Sequence, residues 1–207
     1  MSKDEKSNFK YLPFKPFLQA LEAKDEYTCG HAYRVAEFSV VVGKEMGLSR
    51  KEMDTVELSA LLHDIGKIGI PEKILNKPAK VTDEEYQEIK KHPQHGLKIL
   101  KSLQHLELIL PGILHHHERW DGKGYPDQLK GEAIPLAARI VCVTDAFDAM
   151  TSTRPYRKAL PDDEALHRLK KDSGTQFDPV VVTALLRAYD KGLLHTTNQE
   201  FPKQKAA

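Results

Sequence analysis

From His31 onward, apolar residues recur at helical spacing. Val35, Phe38, Val42 and Met46 share one face, and Gly47 is placed to stop the helix. Ser49 and Glu52 form a capping box that opens a second helix, whose inward stripe of Val56, Ala60 and Leu61 runs to His63 and Asp64. The stripe delivers an adjacent His-Asp pair to a helix end. The next stretch, GKIGIPEKILNKP, is dense in glycine and proline and reads as a connection wrapped over the surface. Thr82 and Glu85 make another capping box, and that helix runs towards His92. Pro93 bars simple continuation, because the residue before a proline is biased away from helical geometry. Gly96, Leu97, Ile99, Leu100 and Leu103 predict a further helix, with His92 at the joint.

Leu108 to His117 is another apolar segment. ERWDGKGYPDQLKGEAIP follows as a long loop, and loops of that length inside compact domains are usually functional. In IPLAARIVCVTDAFDAM the IVCV core fits a buried strand by periodicity alone, but the alanine-rich flanks and the lack of a partner strand favour a helix. A last helix opens with Asp178 as N-cap and Pro179 in its first turn, and stops near Gly192. With no internal repeat and no low-complexity stretch, the pattern predicts one all-α domain over 17–195, an N-terminal extension over 1–16 and a flexible tail over 196–207.

Composition narrows the function classes. The 207 residues are 40% hydrophobic and 29% charged, enough apolar material for a single packed core without staples. Thirty-one Lys and Arg against thirty Asp and Glu leave a net charge of +1, so no global field draws in DNA, RNA or an anionic membrane. An anionic ligand must be met locally. Cys29 and Cys142 are far apart in sequence, which suits a reducing compartment. With no signal-like segment and no long uncharged apolar run, the expected location is the cytoplasm.

Histidines and aspartates collect at predicted helix ends: His31, His63 with Asp64, His92, His116 with His117, and Asp145 with Asp148 one turn on. A lone histidine at a helix end is more often a cap or a solvated side chain than a ligand. Here their number outweighs that reading. Helix packing can gather such ends into one polar cavity, and imidazoles with carboxylates but no thiolates suit Fe, Mn, Zn or Ni. A carboxylate has two oxygens and can bridge two ions about 3.5 to 4 Å apart, as two-metal hydrolytic sites require.

The segments LLHDIGKIGIPEKILNKP, HPQHGLKIL, HHERWDGKGYP, IPLAARIVCVTDAFDAMTSTRPYR and GTQFDP, in this order, resemble the HD-GYP domain. This is a branch of the HD phosphohydrolases that hydrolyses cyclic di-GMP. The resemblance runs from about Leu21 to Leu186 and implies an HD-type helical bundle with a dinuclear metal centre in its core. It implies that His31, His63, Asp64 and Asp145 hold one ion, and that Asp64, as bridge, holds the second with His92, His116 and His117. His115 precedes the matched pair and is read as a bystander. Members that bind a third metal place a glutamate one turn before the position of His31. Tyr27 stands there in this chain and Glu26 points elsewhere on a helix, so two ions are expected, Fe or Mn first and Zn or Ni next.

The chemistry implied is attack on a phosphodiester by a hydroxide bridging the metals, with cyclic di-GMP opened to pGpG and GMP as a further product. Lys67, Arg154 and Arg157 are the expected phosphate contacts. Asp148 either orients a ligand or protonates the leaving group. Tyr125 is expected to stack on guanine or donate to a phosphate, whereas Trp120 pins its loop to the core. Two rival readings remain: a silent cyclic dinucleotide receptor that docks a GGDEF-type diguanylate cyclase through the GYP loop, and a hydrolase of another cyclic dinucleotide such as cyclic GMP-AMP. Homodimerisation fits the pattern as well. Because such domains are commonly joined to receiver or sensor domains, the chain is expected to be a stand-alone effector or an output domain.

Overall fold

A computed structural model describes residues 14–24, 30–153 and 158–196, and all structural statements concern these. Ten α-helices follow one another: α1 (Lys15–Lys24), α2 (His31–Glu45), α3 (Arg50–Leu62), α4 (Glu72–Leu75), α5 (Asp83–Ile89), α6 (His92–Leu100), α7 (Leu110–His115), α8 (Leu136–Thr151), α9 (Asp162–Lys171) and α10 (Pro179–Asp190). Two 3-10 turns, Ile65–Gly69 and Gly131–Ala133, complete the regular structure. No helix among the described residues is long and apolar enough to cross a membrane.

Local chemistry sets most of the boundaries. The Ser49–Glu52 and Thr82–Glu85 boxes are both formed, each hydroxyl accepting from the N3 amide while the glutamate accepts from the cap amide. Asp178 caps α10 by accepting from the Val180 amide, and Gly47 and Gly192 end α2 and the turn after α10 at φ of 76° and 68°. Pro93 sits in the first turn of α6, where its missing N–H costs nothing, so His92 becomes the first residue of that helix.

Helix α8 is the axis of the bundle. Ala137, Ile140, Val141, Val143, Phe147 and Thr151 are buried on several sides of it, which is why its apolar residues show no one-sided stripe. One core cluster packs Phe38 and Val42 of α2 and Leu185 of α10 around Phe147. A second gathers Leu18, Leu21, Leu61, Ile65 and Ile113 around Val141. Buried polar groups are paired across these contacts. The Ser39 and Thr144 hydroxyls meet at 2.8 Å between α2 and α8, and Arg139 of α8 donates to the Asp178 carboxylate at 2.6 Å.

Three regions differ from the sequence reading. The stretch GKIGIPEKILNKP wraps the surface only in part: Gly66 and Ile70 are buried and Glu72–Leu75 forms the short α4, while the residues from Pro71 to Pro78 are exposed or half-buried. Helices α1 and α9 are additional to the elements read from the pattern. Helix α1 lays Leu18 and Leu21 beside Ile65, and its Lys24 ammonium bonds the Ile68 carbonyl, so it buttresses the turn that carries Asp64. Helix α9 is short and highly charged, with Ala165, Leu166 and Leu169 buried, and its apolar face is too narrow to stand out in sequence.

The turn after Asp64 meets α6 backbone to backbone. A Cβ on Gly66 would lie 1.8 Å from the His92 carbonyl oxygen and 2.4 Å from the Gly96 nitrogen, so only glycine allows the approach. Gly66→Ala is expected to destabilise the protein by about 3 kcal/mol or more, the top of the usual overpacking range, because the obstruction is main chain. Gly47→Ala, in open space, should cost about 1 kcal/mol for its left-handed φ alone. Urea unfolding of both variants beside the parent checks this, and equal losses would contradict it.

Candidate metal centre

Four helix ends and the middle of a fifth helix meet at one place. His31 opens α2, His63 and Asp64 follow α3, His92 opens α6, His116 and His117 follow α7, and Asp145 lies mid-way along α8. His63, Asp64, His92 and His116 are almost completely buried. In three of the histidines a main-chain carbonyl three residues back fixes the ring. Nδ1 of His63 donates to Ala60 at 2.6 Å, of His92 to Ile89 at 2.8 Å, and of His116 to Ile113 at 2.7 Å. A carbonyl oxygen only accepts, so Nδ1 carries the proton and the Nε2 lone pair faces inward.

Those lone pairs surround Asp64. Its Oδ1 lies 3.5 Å from His92 Nε2, while its Oδ2 lies 3.4 Å from His63 Nε2 and 3.9 Å from His31 Nε2. The two carboxylate oxygens thus face different sets of imidazoles. Donor atoms of His31, His63 and Asp64 lie within 4.8 Å of one another, and so do those of His92, His116 and His117. Asp145 joins the first set, with Oδ1 3.3 Å from His31 Nε2. All seven candidate ligands therefore converge, in two groups that meet at Asp64.

The residues fit a metal on their own evidence. His63 Nε2 is buried without a hydrogen-bond partner. His92 Nε2 and His116 Nε2 face each other at 3.2 Å, two acceptors with no intervening donor when both rings are neutral. Burial keeps them neutral: it pushes the His92 pKa down to about 4 and that of His116 well below its ordinary value. A cation beside His63 would satisfy the orphaned nitrogen, and one between His92 and His116 would separate the opposed pair. The donors are nitrogen and oxygen throughout. Cys142, whose thiol burial pushes up to about 12, donates instead to the Glu118 carbonyl and takes no part.

His31 is held differently. Its Nδ1 donates to Asp148 Oδ2 at 2.7 Å, and Arg34, one turn further along α2, clasps the same carboxylate with Nε and Nη2 at 2.5 and 3.0 Å. Burial by itself would lower the His31 pKa, but Asp145 and Asp148 outweigh it and raise it to about 9. Both Asp148 oxygens are thereby engaged away from the Asp64 carboxylate, and its pKa is depressed despite burial by bonds from His31 and Arg34. This geometry favours orientation of His31 over donation of a proton. Arg34 was missed in the sequence, where its one signal is the i+3 spacing from His31.

The other predicted contacts divide. Lys67 Nζ lies 2.7 Å from Asp64 Oδ2. Tyr125 stacks on His117, with ring centroids 4.9 Å apart and planes 25° apart, and the Lys90 ammonium lies over its ring. Guanine stacking on Tyr125 therefore meets a ring already covered. Its loop is seated tightly: a Cβ on Gly124 would come within 2.6 Å of the His117 carbonyl, and buried Glu118 accepts from the Asp127 amide at 2.7 Å. Trp120 is tied down through its amide to the Gln176 carbonyl and lies beneath the Arg139 guanidinium. His115 faces Glu118 and Asp127 at 3.8 and 3.7 Å, outside the cluster. Arg154, Arg157, Glu26, Tyr27 and Cys29 lie outside the described residues.

Two outcomes follow for the metal-free protein and for ligand support. His92 has a folded pKa of about 4 against about 6.5 unfolded, so its contribution is intact above pH 6.5 and is lost as pH falls towards 4. His116 shifts in the same sense, and His31, raised to about 9, acts oppositely and loses its contribution as pH rises from 6.5 to 9. Across the acid window His92→Asn, which keeps a donor for the Ile89 carbonyl, should flatten stability against pH by about 1.4 kcal/mol per unit, one proton's slope. Urea titrations of chelator-treated protein at several acid pH values measure this, and an unchanged slope refutes it. Separately, Asp148→Asn should weaken metal affinity about tenfold to a hundredfold while leaving the fold intact, as read by competition with a chromophoric chelator.

Comparison with known proteins agrees with the geometry. A family model described as HD domain matches residues 16–181. Over 171 residues the chain is 45% identical to the cyclic di-GMP phosphodiesterase response regulator RpfG of Xanthomonas campestris pv. campestris, covering 82% of this chain and 45% of that protein. It is 36% identical to the 3'3'-cGAMP-specific phosphodiesterase 2 of Vibrio cholerae, covering 83% of this chain and 33% of that one. The crystal structure of a cyclic GMP-AMP specific phosphodiesterase of V. cholerae (V-cGAP3) superposes with a TM-score of 0.66 at 23% identity, covering 85% of this chain and 48% of that one. The chain thus spans less than half the length of these relatives. With the family match running through every helix that supplies a candidate ligand, the chain belongs to the HD domain family, in its HD-GYP branch.

Proposed function

We propose that residues 17–195 form a metal-dependent phosphodiesterase domain that opens cyclic di-GMP to pGpG, with GMP as a further product. The observation that carries this reading is Asp64: one buried carboxylate whose two oxygens face separate sets of imidazole nitrogens. Two divalent ions, Fe or Mn first and Zn or Ni next, would supply Lewis-acid activation of a water and of the scissile phosphate. His31, His63 and Asp145 would hold one and His92, His116 and His117 the other, with Asp64 between them.

The remaining groups bind and orient. Lys67 is a part-exposed cation on the edge of the cluster, suited to neutralise charge that builds on the non-bridging phosphate oxygens. Asp148 and Arg34 set the ring of His31, and Tyr125 braces that of His117. Arg154 and Arg157 are assigned as phosphate contacts from the motif alone. The similarity to the cyclic di-GMP phosphodiesterase RpfG at 45% identity supports this substrate over cyclic GMP-AMP, the substrate named for the relative at 36%. The second reading stands because both bonds are purine-nucleotide phosphodiesters meeting the same cluster.

Metal-loaded protein is expected to hydrolyse cyclic di-GMP faster than cyclic GMP-AMP, and chelator-treated protein neither. Asp64→Ala should lose both metal content and turnover. Elemental analysis showing two metals per chain in Asp64→Ala would break the bridge assignment, and binding of cyclic di-GMP without cleavage by metal-loaded protein would replace the enzyme with a receptor.

A further inference from the structure

A line of alternating rings and charge runs outward from the metal cluster. It starts at the His117 imidazole, passes to the Tyr125 ring stacked on it, then to the Lys90 ammonium 5.2 Å from the Tyr125 centroid, and ends on Tyr86, whose centroid is 5.1 Å from the same ammonium. Tyr86 and Lys90 are an i,i+4 pair at the end of α5, by itself an ordinary surface contact. Tyr125 arrives from a distant loop, and its ring makes the arrangement a clamp. That ring is fixed behind by His117, and its loop is seated by Gly124 against the main chain of residues 117–119.

Lys90 differs from its neighbours in what it lacks. Lys91 pairs with Glu88 and Lys77 with Glu85, whereas among the described residues Lys90 meets two aromatic faces and no carboxylate. Ring faces localise an ammonium through their quadrupoles while leaving its N–H donors for another acceptor. The position is also tied to the centre, since Lys90 caps α5 two residues before His92. A charge held in place, unneutralised, beside a cation-binding cluster is arranged to receive an anion.

Resting on the reading of the chain as a cyclic dinucleotide hydrolase, we propose that Lys90, clamped by Tyr86 and Tyr125, binds the second phosphate of the substrate, the one not being cleaved. A cyclic dinucleotide carries two phosphodiesters in one ring. With one against the metal ligands and Lys67, the other must be met elsewhere at the rim, and Lys90 supplies a cation there. Lys90 is a binding residue that acts on ring-closed or linear dinucleotides and not on the bond-breaking step.

The test compares a substrate with two phosphates and one with a single phosphate. Lys90→Met should raise KM for cyclic di-GMP about tenfold to a hundredfold, the loss of one charge-assisted hydrogen bond. Its kcat should stay within about threefold, as expected for binding that is uniform along the reaction. KM for bis(p-nitrophenyl) phosphate and metal content should be unchanged, and Lys90→Arg should restore KM for the dinucleotide. An unchanged dinucleotide KM in Lys90→Met, an equal loss on both substrates, or a loss of metal would each overturn the contact while leaving the enzyme reading in place. A parent protein that cleaves bis(p-nitrophenyl) phosphate but no cyclic dinucleotide would overturn the substrate reading and this contact together.

Discussion

The rest of the structure depends on the burial of one ionised carboxylate. Asp64 is almost completely buried, yet burial, which favours the neutral acid, is outweighed by Lys67, His63, His92 and His31, and its pKa stays well below the ordinary value. A buried charge without compensation costs several kcal/mol. The bundle meets that cost by turning imidazole nitrogens towards it from separate helix ends and by setting one lysine on its edge. Because burial lowers the pKa values of His92, His116 and His117, those three imidazoles add little positive charge, and an added cation would complete the compensation. The same features that make the cluster a poor core make it a cation site.

Rigidity is what keeps this arrangement from collapsing. The three Nδ1–H bonds to carbonyls three residues earlier cost no additional elements: they are local to each helix end, and each uses a carbonyl that helix termination leaves available. His31 is held by a different device: its Nδ1 bonds the Asp148 carboxylate of α8, which the Arg34 guanidinium of α2 clasps in turn. Around these, α8 supplies Asp145 and Asp148 from one continuous buried helix, and Gly66 lets the Asp64 turn and the start of α6 close to main-chain contact. Ligands on different elements are thereby held as one unit.

Outside the cluster, the GYP loop has a structural reason for its residues. Gly124 is there because main chain occupies the space of its Cβ, Tyr125 because its ring backs a ligand imidazole, and Glu118 because its buried carboxylate caps the Asp127 amide. The loop braces the second group of histidines and presents an aromatic face outward, where Lys90 rests. Bracing and substrate contact are compatible duties for one loop, since the same Tyr125 ring meets both the His117 imidazole and the Lys90 ammonium.

Much of this was legible in the chain. Capping boxes at Ser49 and Thr82, the Asp178 cap and the Pro93 break depend on interactions within a few residues, and such local chemistry is written directly into sequence. The residue types at helix ends, together with motifs in a fixed order, were enough to name the seven candidate ligands and the all-α class. Helices α1 and α9 escaped because their apolar faces are short and have meaning only against the partners they cover. Arg34, Lys90 and Tyr86 escaped for a related reason: a guanidinium clasping a carboxylate 114 residues away, or an ammonium between two rings from different elements, leaves at most an ordinary i,i+3 or i,i+4 spacing in the sequence. Sequence by itself determined which side chains could ligate, because donor type and helix periodicity are local properties. Tertiary structure alone decided which nitrogen of His63, His92 and His116 faces inward, which carboxylate lies between the two groups and that the Lys90 ammonium rests on two rings, because those depend on distances between segments that only packing brings together.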